Sequence, residues 1–206
     1  MNNSDKNTEE IFTQIFRNRA WRSRESASGP GSTVSITKTI RGLIPDLIAR
    51  YEIKSILDIP CGDFNWMKEV DLSTVNYTGA DLVADLIQEN RKKYLRTNIN
   101  FVQLDLIANQ LPKADLVLTR DCMVHLSFSD CADAIKNLKN SGSRLLLTTT
   151  FPEVSENQDI KTGEFRKINL LSEPFLLPSP LEIYSENHDI NINPNKCLGL
   201  WEIDTL

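Results

Sequence analysis

The sequence predicts an α/β fold: a doubly wound, mostly parallel sheet flanked by helices, with a helical cap at the N-terminus. Three observations predict it. Apolar runs of strand length recur along the chain, stretches with helical spacing of apolar residues lie between them, and small or acidic residues follow where the runs end. Parallel neighbours need crossover connections that cover both sheet faces, so this alternation fits a buried parallel sheet better than a meander of hairpins.

The elements follow in order. Ile11, Phe12, Ile15 and Phe16 recur at helical spacing and predict a short amphipathic helix. It should fail in the small, polar loop 23–32, which contains Gly29, Pro30 and Gly31. Ile36, Ile40, Leu43, Ile44, Leu47, Ile48 and Tyr51 then share one helical face. Pro45 interrupts that face and predicts a kink, or two helices with Pro45 in a first turn. Residues 1–52 are read as a helical cap and lid loop, and residues 53–206 as the core of one compact domain.

Strands are expected at 55–59, 75–80, 99–104, 115–119 and 145–150, each an apolar run ending at a turn. Between them, 82–95 carries Leu82, Leu86, Ile87 and Tyr94 among charges, as a helix packed on a sheet would. Ser129 or Asp130 can cap a further helix through Asn140, with Ala132, Ile135 and Leu138 inward. The stretch 151–180 is irregular and holds Pro152, Pro174, Pro178 and Pro180. Its length marks it as a lid or substrate loop rather than a plain connector. Residues 181–184 and 198–203 could pair as a hairpin-like unit at the sheet edge.

With 206 residues, 40% of them hydrophobic and 25% charged, the chain can bury a core of ordinary size. No apolar run reaches membrane-span length, and the polar N-terminus lacks the apolar stretch of a signal peptide, so a cytoplasmic protein with no membrane partner is expected. A net charge of −5 disfavours a nucleic-acid partner, although Arg17, Arg19, Arg22 and Arg24 form a local basic cluster. Cys61, Cys122, Cys131 and Cys197 form no C-x-x-C pair, and His125 and His188 are the two histidines. Free thiols and no metal centre are expected. Nothing in the pattern sets the oligomeric state.

In open α/β sheets, ligands sit beyond the carboxyl ends of the strands, where the strand order reverses. The residues just after each run therefore carry the chemistry. They are Asp58, Pro60, Cys61 and Gly62 after the first, Asp81 and Leu82 after the second, Asp105 and Leu106 after the third, and Arg120 and Asp121 after the fourth. Asp81 lies 23 positions after Asp58. A carboxylate about 20 residues on takes the ribose hydroxyls in the dinucleotide-binding fold.

From about Ser55 to Thr150 this series resembles the class I S-adenosylmethionine (SAM)-dependent methyltransferases, a Rossmann-like fold. The resemblance implies SAM as cofactor and a methyl acceptor that is a small polar molecule, such as a sugar or related metabolite. It implies that the turn at Asp58, Pro60 and Gly62 approaches the methionine part of SAM. Asp81, with Leu82 beside it, would bind the ribose. Asp105, followed by Leu106, would reach the adenine amino group, and the strand running to Arg120 and Asp121 would line the sulfonium and the acceptor pocket. The first turn departs from the family pattern, because Pro60 and Phe64 stand where glycines are usual and only Gly62 is left. Pro60 can still tighten the turn, and Gly62 still allows close backbone approach. The string Asp58-Ile-Pro-Cys-Gly-Asp63 also resembles a bacterial methyltransferase subgroup linked with surface-polysaccharide loci.

His125 and Asp121 are the candidate catalytic residues. They stand four apart, so on a short helix they could share a face. A hydroxyl acceptor must lose its proton as it attacks, and a neutral imidazole suits that task. The alternative is that His125 packs beside Leu126 and bonds a backbone carbonyl. Asp121 could orient His125, act as base, or only line the pocket. Trp21 and the 26–32 loop could fold over the cofactor. Trp66 could face it or the core, and Thr148 to Thr150 could line the acceptor pocket. Two rival functions are a NAD(P)-dependent oxidoreductase and a non-catalytic SAM-binding module. Against the first, the chain has no G-x-G-x-x-G after its first strand and no Tyr-x-x-x-Lys pair.

Overall fold

Alternation within the central strands decides the layering. The computed structural model describes residues 7–186 and 194–206; His188 lies outside them. The strands are β1 (Ser55–Asp58), β2 (Asn76–Asp81), β3 (Ile99–Gln103), β4 (Leu116–Thr119), β5 (Leu145–Thr150), β6 (Glu182–Ser185) and β7 (Cys197–Glu202). The helices are α1 (Thr8–Arg17), α2 (Lys38–Arg50), α3 (Ala84–Tyr94) and α4 (Phe128–Asn140). Ile56, Leu116, Leu118, Leu145 and Leu147 pack on one face with Ile40, Ile44 and Leu47 of α2 and Ile87 of α3. Leu57, Val117 and Leu146 pack on the other with Cys131, Ala134 and Leu138 of α4. Both faces are buried, which is why these strands read as continuous apolar runs.

The strands line up in one sheet in the order β3-β2-β1-β4-β5-β7-β6. β1 to β5 pair in parallel, and β7 runs antiparallel to both β5 and β6. The last two segments thus form the edge unit expected from sequence, inserted so that β7 rather than β6 meets β5. The reversal of strand order falls between β1 and β4.

Two local expectations are corrected. Pro45 neither splits its helix in two nor sits in a first turn, since α2 is one helix with Pro45 inside it. Proline in a helix interior costs about 3 kcal/mol. Burying Ile40, Ile44 and Leu47 fully returns about 1.5–3 kcal/mol each, so packing wins. α4 is capped not by Ser129 or Asp130 but by Ser127, whose hydroxyl accepts the Asp130 N–H at 3.1 Å. The hydroxyl of an extended residue reaches the first-turn amides, whereas Ser129 is already helical. The 151–180 segment is irregular, as expected. It has no helix or strand, yet it is packed into the core through Phe151, Ile168, Leu170 and Leu177. Asn157 and Asn169 hold it together by paired side-chain-to-backbone bonds at 2.8 Å.

Candidate active site

Two adjoining cavities open at the carboxyl ends of β1, β2 and β4, where the strand order reverses. The first is apolar, walled by Phe12 and Phe16 of α1 with Leu82, Val83, Leu106 and Ile107, and edged by Asp81 and Asp105. The second is polar, with Asp58, Gly62, Asp63, Trp66 and Arg120 in its wall. Trp21, Ser28, Pro60, Asp81, Asp121 and His125 line both. Every residue expected to hold the cofactor or carry catalysis therefore borders one chamber or the other. Thr148, Thr149 and Thr150, expected to line the acceptor pocket, are buried and border neither.

On the β1–β2 side, the first turn is built around Gly62. Its backbone has φ +57°, and a Cβ there would collide with the Ser28 hydroxyl. Its N–H donates to Asp81 at 3.1 Å, and its carbonyl accepts from the Asn90 amide at 2.8 Å. The other Asp81 oxygen accepts the Val83 N–H at 3.0 Å. Each carboxylate oxygen has a second acceptor position. Burial pushes the Asp81 carboxyl up to about 6 against the pull of these amides. Asp58, 3% exposed, accepts the Tyr77 hydroxyl at 2.6 Å, and burial outweighs that bond to bring its carboxyl up to about 7. Asp105 uses one oxygen on the Ile107 N–H at 2.7 Å and sits at the edge of the apolar chamber.

The β4 side is organised by paired charges. Arg120, 6% exposed, contacts Glu186 at 2.7 Å and Asp121 at 3.2 Å, and donates to the Gly31 carbonyl at 2.9 Å. Its guanidinium lies 5.7 Å from the Trp66 ring, so Trp66 serves both core and polar chamber. Asp121 stands at φ +53°, with its N–H on the Thr149 hydroxyl at 2.8 Å. Lys196 donates to both Asp121 oxygens, at 2.8 and 3.1 Å, and lies 3.6 Å from Glu186. Burial alone would raise the Asp121 carboxyl, but Lys196 and Arg120 overcome it and hold the group well below the usual carboxylate range. Thr148 and Thr150 are buried and bonded to Thr119 and the Leu170 N–H.

His125 ends a 3-10 turn (Met123–His125) that is wrapped by the 151–180 segment. Gly163 and Arg166 donate backbone N–H groups to the carbonyls of His125 and Val124. The Arg166 side chain donates to the Met123 and Leu126 carbonyls. The His125 Nδ1 lies 2.8 Å from the Glu164 carbonyl. A carbonyl only accepts, so Nδ1 carries the hydrogen and the neutral ring keeps a lone pair on Nε2. The ring is flanked by Trp21 at 5.5 Å and Phe165 at 5.6 Å. Burial lowers its pKa, against the opposing effects of the Glu164 carbonyl and Asp121.

The N-terminal segment closes the top. Phe12 and Phe16 roof the apolar chamber, and the strap behind Trp21 is fastened to Asp63. Ser26 and Ala27 donate to the Asp63 carboxylate at 2.9 and 2.7 Å, and the Asp63 N–H returns to Ser28 at 3.2 Å. Among the described residues, no group of three or more His, Cys, Asp or Glu is placed to hold a metal ion.

Sequence reasoning missed Glu186 and Lys196, of which the strand-end rule reaches Glu186 directly and Lys196 only when extended to antiparallel strands. β6 runs parallel to β5, so the residue after it reaches the same sheet edge. β7 runs the other way, so the residue before it does. Applying the rule to the edge pair, with the direction reversed for β7, points to both.

The fold is that of the SAM-dependent methyltransferases. A SAM-dependent methyltransferase from Leishmania major superposes with a TM-score of 0.70 at 12% identity, covering 95% of this chain and 84% of that one. The magnesium protoporphyrin IX methyltransferase of Synechocystis PCC 6803, with bound SAM, gives 0.62 at 14% identity over 98% and 99%. Human N-acetylserotonin methyltransferase in complex with SAM gives 0.64 at 14% identity, over 96% of this chain and 60% of that chain. No protein-family model matches the sequence. No curated protein matches it either.

Proposed function

We propose that the protein is a SAM-dependent methyltransferase that methylates a small polar acceptor, a sugar or related metabolite. One observation carries this reading. An apolar chamber edged by two carboxylates joins a polar chamber at the switch point of the sheet, and His125 and Asp121 stand where they meet. The donor set fits SAM. Asp81 keeps an acceptor position on each oxygen for the two ribose hydroxyls, Asp105 keeps one oxygen for the adenine amino group, and Leu82 and Leu106 offer apolar wall to the base. Pro60, Gly62, Asp58 and Arg120 border the polar chamber that would take the methionine end.

When bound, SAM supplies a methyl group on a sulfonium. The chain's own part is alignment, exclusion of water and removal of a proton. Trp21 and the strap cover the site. His125 would accept the acceptor's hydroxyl proton at Nε2, with Nδ1–H anchored on the Glu164 carbonyl. Asp121 is a poor base because two cations hold it ionised. Its carboxylate is instead fixed by Arg120 and Lys196 at the mouth of both chambers.

Calorimetry with SAM, S-adenosylhomocysteine and NAD tests the cofactor. Binding of NAD in preference to SAM would favour the oxidoreductase reading. Conversion of SAM to S-adenosylhomocysteine with sugar acceptors separates an enzyme from a SAM-binding module. Turnover at the normal rate in His125→Ala, with SAM binding intact, would make His125 a packing residue.

A further inference from the structure

Lys196 is 4% exposed, and its ammonium is spent on the site. It bridges both oxygens of Asp121 and touches Glu186, which in turn grips Arg120. The Glu186 N–H donates to the Lys196 carbonyl at 2.8 Å, so the two residues are also tied through their backbones. The edge strands thereby deliver one cation and one anion into the β4 end. Four charges close on one another there, two of each sign.

We infer that Lys196 is a positioning residue that offsets the charge of Asp121 and so keeps His125 in its uncharged, proton-accepting form. The role in transfer rests on the methyltransferase reading above; the electrostatic linkage does not. Asp121 and His125 border the same two chambers, and the charge of Asp121 favours the imidazolium. An Asp121 bearing a full uncompensated charge would hold His125 protonated over more of the neutral range, where it cannot accept a proton. Lys196 and Arg120 prevent that by pairing with the same carboxylate.

Among the described residues, these groups bear on His125. Asp121 comes from the turn after β4, and Asp81 from the end of β2 lines the same chambers. The Glu164 carbonyl and the Arg166 cation come from the 151–180 segment. Trp21 and Phe165 face the ring as uncharged aromatics. Of these, Asp121 alone is bridged by Lys196, and the fields of these two charges oppose one another at His125.

The test is an NMR titration of the His125 imidazole in the full chain, without SAM. The sequence has two histidines, so a His188→Asn background leaves His125 as the sole ring. In Lys196→Met the His125 midpoint should rise by about half a unit or more, and in Asp121→Asn it should fall. Because the two fields add, the double variant should titrate above Asp121→Asn alone, and Lys196→Arg should stay near the parent. A Lys196→Met midpoint equal to the parent's overturns the inference, as does a double variant that titrates no higher than Asp121→Asn. If Lys196→Met does not fold, that last comparison decides by itself. Failure here leaves SAM binding untouched, and failure of SAM calorimetry leaves the titration untouched.

Discussion

The two walls of the site treat buried carboxylates in opposite ways. On the β1–β2 wall, Asp58 and Asp81 face desolvation with neutral partners, a tyrosine hydroxyl and backbone amides, and their carboxyls are pushed up to about 7 and about 6. On the β4–β7 wall, Asp121 meets two cations and is held below the ordinary range. The first wall is short of positive charge and keeps free acceptor positions, so it is prepared for a ligand. The second has already closed its charges on one another, so it is prepared to hold a geometry. The neutral wall should govern binding and the paired wall should govern stability and turnover.

The largest effect should come from breaking the paired wall. Arg120→Met leaves Glu186 and Asp121 with one cation between them and should cost about 3–5 kcal/mol of stability by urea denaturation. A loss below about 1 kcal/mol would mean that the pairing is incidental.

Next is Asp81→Ala on the neutral wall. Two hydrogen bonds to a charged acceptor are worth about 1.5–3 kcal/mol each, so SAM affinity by calorimetry should fall about a hundredfold or more. Affinity unchanged in a folded variant would remove Asp81 from the binding site. Arg120→Met should affect SAM affinity less than this in whatever fraction remains folded.

The smallest effect is a pH dependence with opposite signs for folding and binding. Because the folded-state values of Asp58 and Asp81 lie above their unfolded ones, their contribution to stability is fully present below the ordinary carboxylate range. It is lost as pH rises through about 6 to 7. SAM binding to ionised Asp81 should move the other way, weakening by up to about tenfold for each unit below about pH 6. Asp81→Asn should flatten the binding profile. An affinity independent of pH in the parent protein would show that Asp81 is ionised throughout.

The neutral wall was legible in the sequence because its residues are sequential with parallel strands. Asp58, Gly62, Asp81 and Asp105 each follow a run whose direction and position the alternation reveals. The paired wall was only half legible. Arg120 and Asp121 follow β4, but their partners come from an antiparallel edge pair, and a rule stated for parallel strands does not reach the residue before β7. The capping of α4 by Ser127 was missed because Ser129 and Asp130 compete for the same role, and the Thr162 hydroxyl, from a distant segment, engages the Ser127 N–H. The path of 151–180 was illegible for a related reason. Its order comes from side-chain amides such as Asn157 and Asn169 rather than from any period.

The roof over the apolar chamber bears on how the molecule breathes. No residue of α1 is buried, whereas α2 sends Ile40, Ile44 and Leu47 fully into the core. Against the body, α1 is held partly by surface polar contacts, Arg17 with Asp85 and Gln103 with Glu9. Local unfolding should therefore begin at α1 and leave the sheet intact, while α2 opens only with the whole. In hydrogen exchange the α1 amides should trade within the fastest class and those of α2 within the slowest. Ligand in the chamber should slow the former by giving Phe12 and Phe16 something to cover. The chain would then admit its ligand by fraying one end.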